Sequence, residues 1–264
     1  MYEILERLPS KAFVLDLGCR DGSFPSSDER LNVVRVDTNK PRRSPAGSYV
    51  QADAEFLPFR SRSFDAVILN HTLEHFVHLK RSLQEVGRVV KTDGAVFVAV
   101  PDARTLSDRV YRKVYRSAGG HVNLFDSATH LETMLSWYFG LPHVATLTLL
   151  TSFSFLNRKN TRDPAVRAQL RFNGLPEFVV ALATAATRLV DRWLSTRTSV
   201  YGWALYFGRI PEPIAVQRRA NVCVRCGQAH PSSALVANKQ VRKRLGLSFY
   251  SCPDCGATNI FMLD

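Results

Sequence analysis

Four short apolar runs recur through the first hundred residues, and they constrain the fold more than any other feature. They cover residues 13–17, 32–37, 64–69 and 95–101. Between the last two runs, apolar residues at positions 79, 83, 86, 89 and 90 follow the spacing of one helix face. Near-continuous apolar strands separated by helices are typical of a parallel sheet that is covered on both sides. The sequence therefore predicts the α/β class, with a doubly wound, Rossmann-like, mostly parallel sheet.

The pattern changes after Pro101. We predict a helix over residues 127–139 and two further strands over 144–155 and 199–207. Between these strands lies an insertion at about 157–198, with a basic loop and an amphipathic helix from Glu177 to about Ser195. The segment Pro211-Glu212-Pro213 is the best boundary candidate. We therefore expect a first domain over residues 1–210 and a small module over 211–264.

A tight glycine turn follows the first predicted strand. Asp16 lies near the end of that strand, and Gly18 and Gly22 bracket the turn, where glycine permits a sharp bend and the close approach of a ligand. Asp37 ends the second strand and is placed to accept hydrogen bonds from ribose hydroxyls. The turn does not suit a pyrophosphate, which favours Gly-x-Gly-x-x-Gly, because positions 20 and 25 hold arginine and proline. A nucleoside ligand without a pyrophosphate fits better.

The chain resembles the class I S-adenosylmethionine-dependent methyltransferases, in particular the broad small-molecule branch called type 11. The resemblance covers roughly residues 10–140 and consists of five ordered motifs, which are Asp16–Gly22, Asp37, Ala52–Phe59, Ser63–His75 and Leu83–Gly94. It implies that the cofactor is bound by Asp16, Gly18, Cys19, Gly22, Asp37, Asp53, Ala54 and Asn70. Arg20 departs from the family, since most relatives have glycine there. Its side chain is expected either over the cofactor's carboxylate or in solvent.

Methyl transfer from a sulfonium requires alignment of the acceptor and, when the acceptor carries a proton, a base. His71 follows the fourth strand, and His121 follows Gly119-Gly120, which we expect to be a mobile connection. We therefore single out both histidines as candidate catalytic residues. His75 and Glu74 are assigned instead to the helix after that strand. The Asn/Asp-Pro-Pro-Tyr motif of amino-methylating enzymes does not follow the fourth strand, and no Pro-Cys nucleophile is present. We expect methylation of a small molecule or glycan-type metabolite, at oxygen.

Four of the five cysteines form two matching pairs near the carboxyl end. Cys223 and Cys226 make the first Cys-x-x-Cys pair, and Cys252 and Cys255 the second. Two such pairs supply four thiolates for a tetrahedral zinc ion, and the segment resembles a zinc ribbon. Because no export signal is evident and Cys19 is left without a partner, we expect a reducing, cytoplasmic location and metal binding rather than disulfides.

The net charge of +12 is unevenly distributed along the chain. Residues 1–140 carry 19 basic and 17 acidic side chains, whereas 141–264 carry 16 and 6. A basic segment favours anionic partners, so an RNA methyltransferase that grips the phosphate backbone through its ribbon is an alternative function. A non-catalytic scaffold that keeps the cofactor fold is another. The inserted helix is expected to cover the sheet, form a homodimer or rest on a membrane surface, and no transmembrane segment is predicted.

Overall fold

The computed structural model describes residues 1–20, 22–24, 29–41, 47–115, 121–162, 173–210, 219–244 and 247–261. The chain divides into two compact units, the first formed by Met1–Pro101, His121–Thr146 and Trp203–Val216, and the second by Asp102–Gly120, Leu147–Gly202 and Gln217–Asp264. These units do not follow the expected division into 1–210 and 211–264, which stays a prediction. The predicted boundary at 211–213, the Gly119-Gly120 connection and Asp21 of the glycine turn lie outside the described residues.

The described ranges hold twelve strands and six α-helices. Helices separate the strands between residues 64 and 208, whereas no α-helix lies between the four strands over residues 13–70 in the described ranges, so the expected alternation holds only in part. The strands are β1 (Phe13–Leu17), β2 (Asn32–Asp37), β3 (Ser48–Gln51), β4 (Phe64–Asn70), β5 (Val90–Pro101), β6 (His143–Leu150), β7 (Val200–Gly208), β8 (Arg219–Val222), β9 (Ala229–Pro231), β10 (Val241–Arg244), β11 (Leu247–Ser251) and β12 (Thr258–Ile260). The α-helices are α1 (Tyr2–Leu5), α2 (Leu79–Val89), α3 (Leu106–Val114), α4 (Ala128–Phe139), α5 (Glu177–Leu194) and α6 (Ser232–Ala237).

The first unit contains a mostly parallel sheet. Its strands follow the order β3-β2-β1-β4-β5, continued by the parts of β7 and β6 that belong to this unit. The pairs β1–β2, β1–β4, β2–β3 and β4–β5 are all parallel. Residues of β1 and β4 are buried on both faces, including Val14, Leu15, Val67 and Ile68, which explains their unbroken apolar sequence. The predicted α/β class and Rossmann-like sheet are confirmed.

The second unit combines the insertion with the carboxyl-terminal segment. Residues 148–150 of β6 pair in parallel with β8, β8 pairs antiparallel with β9, and β10, β11 and β12 form an antiparallel sheet. The side chain of Ser152 donates a hydrogen bond to the carbonyl of Cys223 at 3.0 Å, and that of Asn157 to Val224 at 2.9 Å. The inserted segment and the carboxyl-terminal segment therefore pack on each other within this unit.

One predicted strand ends earlier in the structure than expected, whereas the predicted inserted helix is present. The strand expected over 144–155 stops at Leu150, because Phe153 adopts a left-handed backbone with φ of 47° and residues 154–156 form a 3-10 turn. The inserted helix matches its prediction closely, since α5 covers Glu177–Leu194. It exposes several large apolar side chains, which are Phe178, Leu182, Leu189, Trp193 and Leu194. Among the helices in the described ranges, none combines the length and apolar character needed to cross a membrane.

Candidate functional site

The glycine turn after β1 has no space for larger side chains. Gly18 has φ of +69°, and a Cβ there would lie 2.2 Å from the Thr72 Cγ2 atom. Gly22 has φ of +115°, and a Cβ there would lie 2.0 Å from Nη1 of Arg35. Both positions therefore need glycine for its backbone conformation and for close packing.

Asp16 is a completely buried carboxylate beneath this turn. Its Oδ2 atom accepts hydrogen bonds from Nη1 of Arg35 at 2.8 Å and from the backbone N–H of Ser23 at 2.9 Å. Its Oδ1 atom is buried and has no hydrogen-bond partner among the described residues. Burial raises the pKa of Asp16, while Ser23 and Arg35 act in the opposite direction. The carboxylate therefore offers one buried acceptor to a cationic or hydrogen-bonding ligand.

Arg35 supports this site structurally, and the sequence analysis did not identify this residue. It lies on β2 directly opposite Asp16 on β1, and its residue is only 2% exposed. Its Nη2 atom donates to the carbonyl of Phe24 at 2.8 Å, and its guanidinium carbon lies 5.2 Å from the centre of the Phe24 ring. A lone arginine inside an apolar strand was the available signal, because a buried charge requires a partner.

Asp37 ends β2 with its carboxylate held by backbone N–H groups. Its Oδ2 atom accepts from Arg20 at 2.8 Å and its Oδ1 atom from Asn39 at 2.9 Å. Arg20 adopts φ of +47°, a left-handed conformation that favours glycine. The Arg20 residue is exposed.

The remaining candidate cofactor residues follow neighbouring strands. Asp53 is exposed and accepts a hydrogen bond from the Glu55 backbone at 3.0 Å, while Ala54 is buried. Asn70 is the last residue of β4. Burial, together with the nearby carboxylates of Asp16 and Asp37, raises the pKa of the Cys19 thiol to about 12. The thiol is therefore protonated at neutral pH and is a poor nucleophile.

Three histidines and one glutamate gather after β4. His71 lies with Nδ1 3.8 Å from Oε1 of Glu74, and the rings of His75 and His121 lie 5.2 Å apart between centroids. Burial, reinforced by His121 and His75, lowers the pKa of His71 to about 4, so its ring is neutral at pH 7. Glu74 and His75 occupy a 3-10 turn, whereas the sequence assigned them to the helix that begins only at Leu79.

Comparison with known proteins decides the family. The model of a family described as a methyltransferase domain matches residues 2–143, more than half of the chain. The chain belongs to this methyltransferase family. The class I fold and the methyltransferase domain expected from the sequence are thereby confirmed, and membership supports S-adenosylmethionine as the cofactor.

The chain spans less than two thirds of the length of the curated relatives described here. A malonyl-[acyl-carrier protein] O-methyltransferase of Enterobacter lignolyticus is 29% identical over 55% of this chain and 62% of that protein. A demethylmenaquinone methyltransferase of Renibacterium salmoninarum is 36% identical over 33% of this chain and 40% of that protein. A solved S-adenosylmethionine-dependent methyltransferase from Archaeoglobus fulgidus has a TM-score of 0.53 and 16% identity, covering 78% of this chain and 89% of that one. The last likeness concerns the fold alone.

The residues of the methyltransferase domain fit S-adenosylmethionine. This cofactor carries positive charge on its ammonium and sulfonium groups, and Asp16 presents a buried carboxylate oxygen without a hydrogen-bond partner among the described residues. Asp16, Asp37 and Asn70 all lie at or near the carboxyl ends of adjacent parallel strands, where ligands bind in open α/β sheets. The geometry therefore suits a cationic nucleoside.

The two cysteine pairs form matching turns in the second unit of the methyltransferase. In each turn the first cysteine's carbonyl accepts from a glycine, at 3.1 Å for Cys223 and Gly227 and at 2.9 Å for Cys252 and Gly256. Both glycines have positive φ, at 74° and 69°. The backbone N–H of Arg225 also donates to the sulfur of Cys223 at 3.3 Å. Each pair therefore presents its thiols from a defined turn.

The four sulfur atoms of Cys223, Cys226, Cys252 and Cys255 lie within 4.8 Å of one another. The Sγ atoms of Cys223 and Cys255 are 3.6 Å apart, as are those of Cys226 and Cys252. Four thiolates at about 2.3 Å from a tetrahedral zinc ion would be separated by about 3.8 Å. The cluster is therefore compatible with a small zinc module.

Gly22 provides a test of the packing around Asp16. We expect Gly22→Ala to destabilise the first unit by about 2–3 kcal/mol, because it adds backbone strain and pushes Arg35 away from its carboxylate. Gly140→Ala is the matched control, since Gly140 also has positive φ but open space around its Cβ position, and we expect a loss of about 1 kcal/mol. Urea unfolding of both variants measures the difference, and equal losses would show that the contact with Arg35 is unimportant.

Proposed function

We propose that this protein transfers a methyl group from S-adenosylmethionine to an oxygen atom of a small molecule or glycan-type metabolite. The observation that carries the proposal is the buried Asp16 carboxylate, held by Arg35 beneath the glycine turn with Oδ1 lacking a partner in the described structure. Asp16 would accept from the amino group of the cofactor, which supplies an electrophilic methyl group on its sulfonium. The family of the chain supports methyl transfer as the reaction class. Its relatives are named for different acceptors, so the choice of acceptor class is part of this proposal.

The other cofactor contacts are assigned by position in the fold. Asp37 would accept from the ribose hydroxyls, and Asp53 with the backbone of Ala54 would bind the adenine ring. Asn70 would approach the cofactor from the end of β4. The remaining contacts come from the turn itself, through Gly18, Cys19 and Gly22. Because Cys19 is protonated, its contribution is through the backbone rather than through a nucleophilic thiol.

The histidines that gather beside the end of β4 would bind the methyl acceptor and accept its proton. A hydroxyl must lose its proton as the new bond to carbon forms, and a positioned histidine can accept that proton. His71 is neutral at pH 7, and the same lowered pKa makes it a weak base, so it would contact the acceptor or the cofactor rather than take the proton. His121 is half-buried beside His75 and is placed to act as a base or to position the acceptor. Both lie at the same loop cluster as Asn70.

His121→Ala tests the acceptor side of the site. We expect turnover on the acceptor to fall by about 100-fold or more, because a positioned acid–base group contributes about 10²–10⁴-fold. Transfer of radiolabelled methyl from S-adenosylmethionine to metabolite fractions identifies the acceptor and measures the rate. His78→Ala is the control, since His78 is an exposed histidine in the loop that follows β4. Full turnover by His121→Ala would remove this residue from the mechanism.

We further propose that the four-cysteine cluster binds zinc and stabilises the second unit. All five cysteines are free thiols, which agrees with a reducing compartment such as the cytoplasm. Tyr250 and Leu235 are buried with the cysteines in a small core, and metal binding would supply folding free energy that this core lacks.

RNA methylation is the second candidate, favoured by one feature of the second unit. The sequence between residues 213 and 253 contains no acid, and Arg242 and Lys243 are exposed on β10. Salt-sensitive retention on an RNA column at low ionic strength, together with transfer of methyl to RNA, would identify RNA rather than a small molecule as the acceptor. A non-catalytic scaffold predicts that no acceptor is methylated at all. Dimerisation through the exposed face of α5 stays a prediction that a measurement of mass in solution tests.

A further inference from the structure

We propose that Glu74, His75 and His121 bind a first-row divalent metal ion such as Zn²⁺, at a second site separate from the four cysteines. One possible ligand atom from each of these residues lies within 4.8 Å of the others. Ligand atoms around one such ion are about 3–4 Å apart, given metal–ligand distances of about 2.0–2.2 Å. Small rotations of the side chains would bring the ligand atoms from these distances to the separations that an ion requires.

The backbone holds these three residues together without a metal. Glu74 and His75 are neighbours in the 3-10 turn after β4. The backbone N–H groups of Val122 and Asn123 donate to the carbonyl of Glu74 at 2.7 and 3.1 Å. The side-chain amide of Asn123 donates to the carbonyl of Leu73 at 2.9 Å and to that of Phe76 at 2.7 Å. Four hydrogen bonds therefore fix the segment that carries His121 against the turn, which reduces the ordering cost of binding an ion.

Burial and charge at the cluster suit a partly open metal site. Glu74 is 2% exposed, His121 is half-buried and His75 is exposed. A divalent cation would compensate the buried carboxylate on the protein side. On the exposed side, an ion held by three protein ligands keeps a position for water or a substrate oxygen. Two imidazoles and one carboxylate are the donor set of many catalytic zinc sites and of non-haem iron sites.

The location suggests what the ion does. The cluster follows Asn70 and His71 at the carboxyl end of β4, where we place the acceptor. A bound ion would hold an oxygen of the acceptor, and His121 would then position the acceptor through the metal. This role rests on the proposed methyl transfer, whereas the binding of the ion does not.

Equilibrium dialysis against a fixed low concentration of free Zn²⁺ tests the site, with metal content measured by mass spectrometry on tag-free protein. We expect two equivalents in the wild-type protein, one from each site. His75→Ala and His121→Ala should each retain one equivalent, with at least a 10-fold loss of affinity at the second site. Because His75 is exposed, its replacement should leave the fold intact, which circular dichroism verifies. His78→Ala, altered in the same loop, should retain two equivalents.

Two outcomes would overturn the proposal. One is a single equivalent of Zn²⁺ in the wild-type protein that both histidine variants retain. The other is two equivalents in both histidine variants, which would place the second ion elsewhere. Because dialysis measures metal without methyl transfer, these outcomes are distinct from failure of the proposed function. An absence of transfer to any acceptor, combined with two equivalents that depend on His75 and His121, would support the metal site and reject the reaction.

Discussion

Arg35→Leu is expected to lower the free energy of unfolding of the first unit by about 3–5 kcal/mol. Arg35 and Asp16 are opposite each other on β2 and β1, with residue exposures of 2% and 0%. Leucine fills part of the space but leaves the Asp16 carboxylate without its buried cation. This loss of stability exceeds that expected for a surface ion pair, because water cannot solvate the Asp16 carboxylate once Arg35 is removed. Urea unfolding of the wild-type and variant proteins measures it.

Two further variants make the interpretation specific. Arg60→Leu replaces an exposed arginine before β4 and should change stability by less than about 0.5 kcal/mol. The double variant Arg35→Leu with Asp16→Asn should recover part of the lost stability, because no ionised carboxyl remains in the apolar site. If Arg35→Leu lowers the free energy of unfolding by less than about 1 kcal/mol, the ion pair of Asp16 and Arg35 does not stabilise the first unit.

Removal of zinc by a chelator is expected to abolish the ordered structure of the carboxyl-terminal segment. The cluster lies in a small core with Leu235, Tyr250, Ala257 and Phe261, too few residues to fold a segment of this length unaided. Structural zinc contributes about 10–16 kcal/mol in isolated zinc-finger peptides. Hydrogen exchange before and after chelation should show lost protection over residues 219–261.

The fifth cysteine provides the control for this experiment. Cys226→Ser should lose the ion from the cluster and show the same loss of protection without chelator. Cys19→Ser should retain it, because Cys19 lies in the glycine turn of the first unit and outside the four-sulfur cluster. Unchanged protection over residues 219–261 after complete removal of zinc would contradict a folding role for the metal.

The sequence was most informative where one local pattern determines one local structure. The apolar runs predicted four parallel strands because both faces of β1 and β4 are buried. The helix predicted over residues 127–139 is α4, and Ser127 is its N-cap, since its side chain accepts from the N–H of His130. The edge strand β3 was missed because Ser48–Gln51 is short and half polar. Short edge strands give little periodic signal.

Long-range contacts were outside the reach of the sequence. Arg35 within its apolar strand signals a buried charge that needs a partner, but the identity of that partner, Asp16, depends on the register between β1 and β2. The approach of His121 to Glu74 depends on the hydrogen bonds of Asn123 to the 3-10 turn, which no periodicity reveals. By contrast, the cysteine cluster was predictable, because paired Cys-x-x-Cys turns carry their own geometry. The exact acceptor follows from none of these patterns.

Binding of S-adenosylmethionine by isothermal titration calorimetry tests the central proposal most directly. The wild-type protein should bind one equivalent, and Asp16→Asn should weaken binding by about 10- to 100-fold, because it removes the carboxylate that we propose accepts from the cofactor's amino group. Asp93→Asn, which alters an exposed acid in the same unit, should bind as the wild-type protein does. Circular dichroism confirms that each variant is folded. Equal affinity of Asp16→Asn and the wild-type protein, or no binding by either, would contradict the proposed site.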